Sequence, residues 1–385
     1  MPGVPGRAAP DVTTALHGRS ARYGVIVLAL VMAAALGACG RDDETAAGSR
    51  CFDPPSVEPL TPDAVAETDV EGTTVRVLTH GSFAISDDVL AGFEASSGID
   101  VEFVESPDTG AMVSQAILTA GDPVADVVYG VDNTFLCRAL EQNLFVPYSS
   151  PRLAAVPAEL RLDPHDRVSP IDYGDVCINW WTDRLGTPLT SLDDLRQPEV
   201  ASQWVTMSPE TSSPGLAILL ATVARYGDDW TEFWRDASAG GMSVTADWTS
   251  GYFGEFVAGG GDRAVVTSYA TSPVAEVLFA EPAIDAAPTS VLDDGCFRQI
   301  EFAGILDGTS KPAAAARVVD FLLSTEFQSD VPLQMFVFPA VTDAAIPPVF
   351  LDNAVQVTAP VMIDPADIEA HRDEWVDEWR RIVVG

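Results

Sequence analysis

Basic side chains are scarce in this 385-residue chain. Lysine and arginine together number 21, against 57 aspartates and glutamates, so the net charge is -36, and Lys311 is the sole lysine. Nucleic acids and anionic lipid surfaces are both bound through clusters of basic side chains. The charge therefore excludes nucleic acid as a partner and excludes membrane binding through a basic patch.

Motifs of common enzymes and of metal sites are also missing. The chain has neither a Gly-x-Ser-x-Gly elbow nor a phosphate-binding P-loop. Beyond residue 38 its histidines are His80, His165 and His371, at spacings that fit no metal motif. The many carboxylates single out no catalytic pair. The sequence therefore predicts a protein that is not an enzyme, with no catalytic residue, no metal site and no cofactor.

The most apolar stretch lies near the N-terminus, at residues 24–38, after the basic residues Arg7, Arg19 and Arg22. It is shorter than the roughly 20 residues of a membrane-spanning helix, and the layout is that of a secretory signal. The segment Leu36-Gly37-Ala38-Cys39 resembles a bacterial lipobox, which implies cleavage before Cys39 and lipidation of its thiol. An uncleaved anchor is the alternative. Either outcome places the protein outside the cytoplasm, tethered to the outer face of the cell membrane.

Removal of residues 1–38 leaves 18 basic and 56 acidic residues, a net charge of -38. Residues 39–72 are rich in Asp, Glu, Thr, Pro and Ala, which predicts a flexible tether. Four cysteines remain besides Cys39. An even number outside the cytoplasm favours two disulfides over free buried thiols, with three possible pairings. The cysteines are Cys51, Cys137, Cys177 and Cys296.

Strand and helix patterns alternate after the tether. Apolar β-branched runs at 74–79, 101–104 and 125–129 alternate with helical patterns that start near Ser86, Gly110 and Phe135. This order predicts an α/β fold with a parallel sheet, in which ligands lie at the carboxyl ends of the strands. The later predicted elements are strands at 203–207, 243–246, 263–269 and 296–306 and helices at 215–226, 230–237, 252–258, 272–279, 311–324 and 365–382.

Three loops of small polar residues open predicted helices, at 107–110, 211–215 and 269–273. Helix N-termini present unpaired N–H groups and can hold a phosphate or another polar ligand. Ordinary capping by Ser, Thr or Asp explains each loop better when it is taken alone, whereas two loops with a Ser/Thr-Ser-Pro pattern in separate units together favour a shared cleft. Trp248 and Tyr269 end strand-like runs, where they either stack on a planar or cationic ring or simply pack in the core.

The chain resembles the thiamine-binding proteins of bacterial ABC importers from about Val75 to Arg381. The matching stretches include ADVVYGVDN, SPETSSPG, SVTADWTSGYFGEF and VTSYATSP. The resemblance implies a two-lobed fold of the type II periplasmic-binding-protein class, with a ligand cleft between lobes joined by two crossover strands. The lobes would be residues 73–174 with 301–385, and residues 175–300. IDYGDVCINW and CFRQIEFAGIL match the crossover strands, so the resemblance pairs Cys177 with Cys296 and Cys51 with Cys137.

Ligand contacts carry over from the family onto matching positions. They are Asp108, Thr109, Gly110, Ser212, Ser213, Trp248, Tyr269, Ala270, Thr271 and Ser272, with Asp132, Tyr173 and Phe336 as weaker candidates. The chain departs from the family at His80-Gly81, where relatives have Tyr-Asp, and at Ala275, where they have tyrosine. Both departures bear on affinity and on the preference among thiamine and its phosphates.

The resemblance implies that a monomer carries thiamine or its phosphates to an ABC permease and its ATPase. A thiazolium cation and a flat aminopyrimidine suit aromatic faces and carboxylate acceptors. Two alternatives remain. One is a protein of the same fold that binds ferric iron or a polyamine, although this chain has no adjacent tyrosines. The other is a thiaminase-like enzyme, which would need a nucleophilic cysteine in the cleft.

Overall fold

The computed structural model describes residues 50–256 and 260–385. The predicted signal peptide, residues 1–38, and the predicted lipidation site, Cys39, lie outside the described residues. Within the described ranges no helix combines the length and apolar character needed to cross a membrane.

Ten strands form one mixed sheet in the order β2-β1-β3-β9-β5-β8-β6-β7, with β4 on β9 and β10 on β5. The strands are β1 (Thr73–His80), β2 (Ile99–Ser106), β3 (Val127–Asp132), β4 (Phe145–Val146), β5 (Ser169–Trp181), β6 (Trp204–Met207), β7 (Ser243–Thr245), β8 (Val265–Tyr269), β9 (Thr289–Leu306) and β10 (Phe338–Pro339).

Thirteen α-helices pack against the sheet or against each other in the part of the chain that the structure describes. They are α1 (Pro62–Glu67), α2 (Asp87–Ser97), α3 (Thr109–Leu118), α4 (Leu136–Glu141), α5 (Thr182–Leu185), α6 (Pro198–Ala201), α7 (Ser213–Tyr226), α8 (Trp230–Ala239), α9 (Ser272–Leu278), α10 (Pro312–Leu322), α11 (Thr325–Gln334), α12 (Pro348–Asn353) and α13 (Pro365–Val383). Residues Ser250–Glu255 form a π-helical turn.

The two longest strands, β5 and β9, run antiparallel through the middle of the sheet. Parallel strands β1, β2 and β3 join residues 301–305 of β9, whereas parallel strands β6, β7 and β8 join residues 176–180 of β5. The sheet therefore has two parallel halves connected by one antiparallel pair. The lobe boundaries assigned from the sequence remain a prediction.

Both disulfides predicted from the resemblance are confirmed. Cys51 is bonded to Cys137 on α4, and Cys177 on β5 is bonded to Cys296 on β9. The second bond joins the two central strands directly, where their register shifts between Val176 and Ile178. It therefore fixes the segment that connects the two halves of the sheet.

The flexible tether predicted for residues 39–72 is wrong for its described part. Cys51 is fully buried, and the Leu60 N–H donates to the Pro147 carbonyl at 2.8 Å. Helix α1 follows, capped by Thr61, whose Oγ1 accepts the Ala64 N–H at 3.3 Å, and Val65 enters the core. The disulfide and the buried Val65 side chain hold this segment in a defined structure, although its composition is polar and rich in proline.

Three fully buried tryptophans anchor the second half of the sheet to the C-terminal helix. Trp204 on β6 stacks on Trp234 of α8 with ring centres 5.5 Å apart, and Trp234 meets the edge of Trp379 on α13 at 5.8 Å. Because α13 also contacts α4, this helix bridges both halves of the molecule.

Candidate ligand-binding site

A cavity of about 210 Å³ lies between the two halves of the sheet, where β1 and β8 end. Its lining is mainly apolar, with six aromatic side chains, and contains four predicted ligand contacts, Trp248, Tyr269, Ser272 and Phe336. His80, Gly81 and Ala275, the positions at which the chain departs from the family, also line it. The remaining lining residues are Ser82, Thr249, Tyr252, Phe253, Phe279, Glu301, Gln334, Met335 and Val337.

Trp248 is held in place on both its backbone and its ring. The backbone N–H donates to Oδ2 of Asp108 at 3.2 Å, and the indole Nε1 donates to Oγ of Ser268 at 3.0 Å. The ring stacks on Tyr252 with centres 4.8 Å apart and planes tilted by 19°. Tyr269 stands across it at 6.4 Å and 64°. Fixed aromatic faces of this kind can hold a flat or cationic ring.

A chain of hydrogen bonds closes the inner end of the cavity. His80 Nε2 lies 3.3 Å from Oε2 of Glu301, and Nδ1 lies 2.9 Å from the Ser82 hydroxyl. Gln299 donates to Oε1 of Glu301 at 2.9 Å and accepts from the Tyr269 hydroxyl at 3.2 Å. These hydrogen bonds hold the five side chains in a single arrangement.

The electrostatics of this buried cluster set its charges. Burial opposes a charge on His80, but the adjacent Glu301 carboxylate outweighs burial and raises the pKa of His80 to about 9. Burial, with the charges of Glu301, Asp108 and Asp132, raises the pKa of Tyr269 well above its usual value. At neutral pH the site therefore contains an imidazolium that faces Glu301 and a neutral phenol.

The predicted contacts at 108–110 and 212–213 meet each other across the two halves. Asp108 caps α3, with its Oδ1 accepting from Thr109 N at 2.7 Å and from Ser213 N at 3.4 Å. The Gly110 N–H donates to the Thr211 carbonyl at 3.1 Å, and a β-carbon at Gly110 would lie 2.8 Å from that oxygen. These residues lie behind Trp248, and their role as ligand contacts stays a prediction.

Asp132 ends β3 in a fully buried position. Its Oδ1 accepts hydrogen bonds from the Thr134 N–H at 2.7 Å and from the Thr134 hydroxyl at 2.6 Å. The Ser213 hydroxyl is a neighbour of this carboxyl, but neither that hydroxyl nor Oδ2 has a regular hydrogen-bond partner. Burial, aided by repulsion from Glu301, raises the pKa of Asp132 to about 6.

Three further predicted contacts turn toward the protein. Ala270 packs against the Cys177–Cys296 disulfide, and its N–H donates to the Asp175 carbonyl at 2.8 Å. The Thr271 hydroxyl donates to the Phe336 carbonyl at 2.5 Å. Tyr173 stacks on Phe338 at 5.4 Å and lies under the Arg298 guanidinium at 5.0 Å. Each supports the cavity wall from behind.

Sequence reasoning missed much of the cavity wall. Tyr252 and Phe253 were placed in a helix without a role, although three aromatics within residues 248–253 are a recognisable signal of an aromatic wall. Glu301 also carried a signal, because a carboxylate inside an apolar strand needs a buried partner. Phe279 and Met335 gave no signal in the sequence that marks them as part of the cavity wall. Among the residues that the structure describes, no group of three or more His, Cys, Asp or Glu side chains can hold a metal ion.

Known proteins share both the sequence and the fold. The family model of the bacterial extracellular solute-binding proteins matches residues 122–359, more than half of the chain. The thiamine-binding periplasmic protein of Salmonella typhimurium is 29% identical over 80% of this chain and 93% of its own length.

Solved structures give the same architecture. A periplasmic thiamin-binding protein superimposes with a TM-score of 0.70 and 26% identity, covering 80% of this chain and 96% of that one. Iron-bound HitA from Pseudomonas aeruginosa superimposes with a TM-score of 0.66 and 19% identity, covering 80% and 99%, which supports the fold alone. The predicted two-lobed type II fold is confirmed, and the chain belongs to the bacterial extracellular solute-binding proteins.

Proposed function

We propose that this protein captures thiamine outside the cytoplasm and delivers it to an ABC permease and its ATPase. The observation that carries the proposal is the aromatic cavity between the two halves, with Trp248 and Tyr252 stacked on one wall and the Glu301 carboxylate at the inner end. Aromatic faces attract a cationic ring by about 0.5–2 kcal/mol per contact. The names of the relatives, thiamine-binding periplasmic proteins, support the same ligand.

In this proposal the ligand is carried and not converted, and no cofactor takes part. The cysteines of the described chain, which a thiaminase-like nucleophile would require as a free thiol, are all in disulfides. Closure of the two halves on the ligand would signal occupancy to the permease. We further propose that the protein acts as a monomer and that it is anchored through a lipid on Cys39. Mass spectrometry of wild type against Cys39→Ser would test the lipid.

Calorimetry with thiamine on the full chain tests the ligand. We expect saturable binding, a loss of roughly two- to thirtyfold in affinity for Trp248→Ala, and most of the affinity retained by Trp248→Phe, because one aromatic face is removed or kept. Leu118→Ala is the matched control, since Leu118 is an exposed apolar residue on α3 outside the cavity.

A thermal-shift panel separates the alternatives. A ligand that binds the folded state raises the melting temperature by mass action. Thiamine, spermidine and ferric ion are compared at equal concentrations. Stabilisation by spermidine or iron without stabilisation by thiamine would refute the proposal and favour the corresponding alternative.

A further inference from the structure

Two of the aromatic side chains that line the cavity are largely exposed to solvent. Phe253 is 56% exposed and Phe279 is 68% exposed. An exposed apolar ring beside a ligand cavity leaves water only when a ligand covers it, so it contributes to binding more than to folding. Phe253 extends the wall that carries Trp248, because the two rings meet edge to face with centres 5.5 Å apart. Phe279 belongs to a different wall, which helix α9 forms.

Helix α9 turns one stripe of side chains toward the cavity. Ser272, Ala275 and Phe279 all line it, at the spacing i, i+3 and i+7 that places residues on one face of a helix. The helical hydrogen bonding extends to Phe279, whose N–H donates to the Ala275 carbonyl at 3.0 Å. Exposure increases along the stripe, from buried Ser272 through half-buried Ala275 to exposed Phe279. The two small residues leave room for a ligand ring, and Phe279 bounds that room on the solvent side.

Phe279 contacts Phe336, which comes from the other half of the molecule. The two rings meet edge to face with centres 5.6 Å apart. Phe336 follows helix α11, which packs against α2 and α10 of the first half, whereas α9 follows strand β8 of the second half. The ring pair therefore spans the two halves where they close on a ligand.

The backbone of Phe336 has an uncommon conformation. Its φ is +54°, in the left-handed region that bulky side chains rarely adopt. The Thr271 hydroxyl, just before α9, donates to the Phe336 carbonyl at 2.5 Å and helps to hold this conformation. Such conformations persist only where surrounding structure maintains them, and they cluster at ligand-binding segments. A hydrogen bond at one end of α9 and a ring contact at the other thus both fix Phe336.

We propose that Phe279 is a further ligand-contacting residue, and that Phe279 and Phe336 form an aromatic lip that covers a flat ring of the ligand at the mouth of the cavity. The inference rests on the proposed function, because thiamine supplies the flat rings. Phe279 is exposed and adds little to the stability of the fold, so its ring gains most of its contacts when the ligand is bound.

Calorimetry with thiamine on the full chain tests the lip. We expect Phe279→Ala to weaken binding by about two- to thirtyfold, because one aromatic contact with the ligand is lost. Phe279→Tyr should keep most of the affinity, since the aromatic face remains. Phe279→Leu should bind nearly as weakly as Phe279→Ala, since leucine restores apolar bulk without that face.

Leu278→Ala is the matched control, because Leu278 is the neighbouring exposed apolar residue of α9 and lies outside the cavity lining. It should bind thiamine as wild type does. Urea unfolding without ligand should give the same stability for Phe279→Ala and wild type, since the ring is exposed. A loss of affinity as large in Leu278→Ala as in Phe279→Ala would contradict a direct contact.

A double-mutant cycle tests whether the two rings act together. If they form one lip, the loss in the Phe279→Ala/Phe336→Ala double variant should be smaller than the product of the two single losses, because either change alone already opens the lip. Single losses that simply multiply would show that the two rings act separately, and would contradict the lip.

This inference and the proposed function fail in different ways. If wild type binds thiamine and Phe279→Ala binds it as tightly, the lip is refuted and the proposed function stands. If wild type does not bind thiamine, both are refuted.

Discussion

Gly130 lies against the imidazole ring of His80, so closely that a β-carbon at Gly130 would stand 2.3 Å from Cδ2 of the ring. The glycine has φ +101°, in the region that L-residues with a side chain rarely adopt. Its carbonyl accepts the Thr109 hydroxyl at 3.0 Å. One residue without a side chain therefore makes room for His80 to reach Glu301.

Gly130→Ala should destabilise the protein by about 2–5 kcal/mol, since the backbone strain and the contact with His80 add. Gly121→Ala is the control, because Gly121 has φ +86° and nothing within 4 Å of the added carbon. Gly121→Ala should lower the free energy of unfolding only by the backbone strain, about 1–2 kcal/mol. Urea unfolding measures both, and equal losses would show that the contact with His80 has no effect.

Stability should fall as pH rises from 6.5 to 9 because of His80. Its folded pKa of about 9 lies above the ordinary value of 6.5, so its contribution is complete below pH 6.5 and lost as pH passes 9. The loss is on the order of 3 kcal/mol.

Unfolding of His80→Gln at pH 6 and pH 9.5 should therefore show a much weaker pH dependence than wild type. His371→Gln, at an exposed position on α13, is the control and should behave as wild type does. A pH dependence that persists in His80→Gln would contradict the assignment to this pair.

Asp132→Asn should stabilise the protein at pH 7.5 by about 1–3 kcal/mol. The folded pKa of about 6 lies above the ordinary value of 3.8, so wild type loses stability as pH rises through this window. The amide oxygen can keep the two bonds from Thr134, and the variant has no charge to bury. At pH 4 the two proteins should be equally stable. A variant less stable than wild type at pH 7.5 would mean that the charge is needed.

The two disulfides should differ in their effect on the ligand. Replacing either pair with alanine should cost about 2–5 kcal/mol, because the bonds close loops of 86 and 119 residues. Only the Cys177/Cys296 double variant should also weaken thiamine binding, since Ala270 of the 269–272 loop packs on that bond. An equal loss of affinity in the Cys51/Cys137 variant would show that the effect is global.

Local patterns predicted most of the fold correctly. Helix α2 begins after Ser86, as predicted, and ends at Gly98, because an acidic first turn and a left-handed glycine mark its ends. The first seven residues of β9, from Thr289 to Gly295, were missed, since Asp293, Asp294 and Gly295 read as a turn. Pairing with β5 along its length overrides that local preference.

The site was less predictable because its polar groups form hydrogen bonds with residues that are distant in the sequence. Trp248 and Tyr269 could be identified as site residues from the short motifs that contain them, and both line the cavity. The partners of Asp108 are Ser213 and Trp248, which are 105 and 140 residues away. No spacing rule connects these positions, so the sequence offered Asp108 as a ligand contact and did not predict that protein N–H groups occupy its carboxylate.

The position of β9 in the sheet has a consequence for biosynthesis. Val127 of β3 pairs with Ile305, so the parallel strands of the first half gain their inner neighbour only after most of the polypeptide has been made. A nascent chain that stops short of β9 leaves β3 with an unpaired edge. For a chain exported across the membrane, as proposed here, this order delays the final folding of the first half until β9 has emerged on the far side.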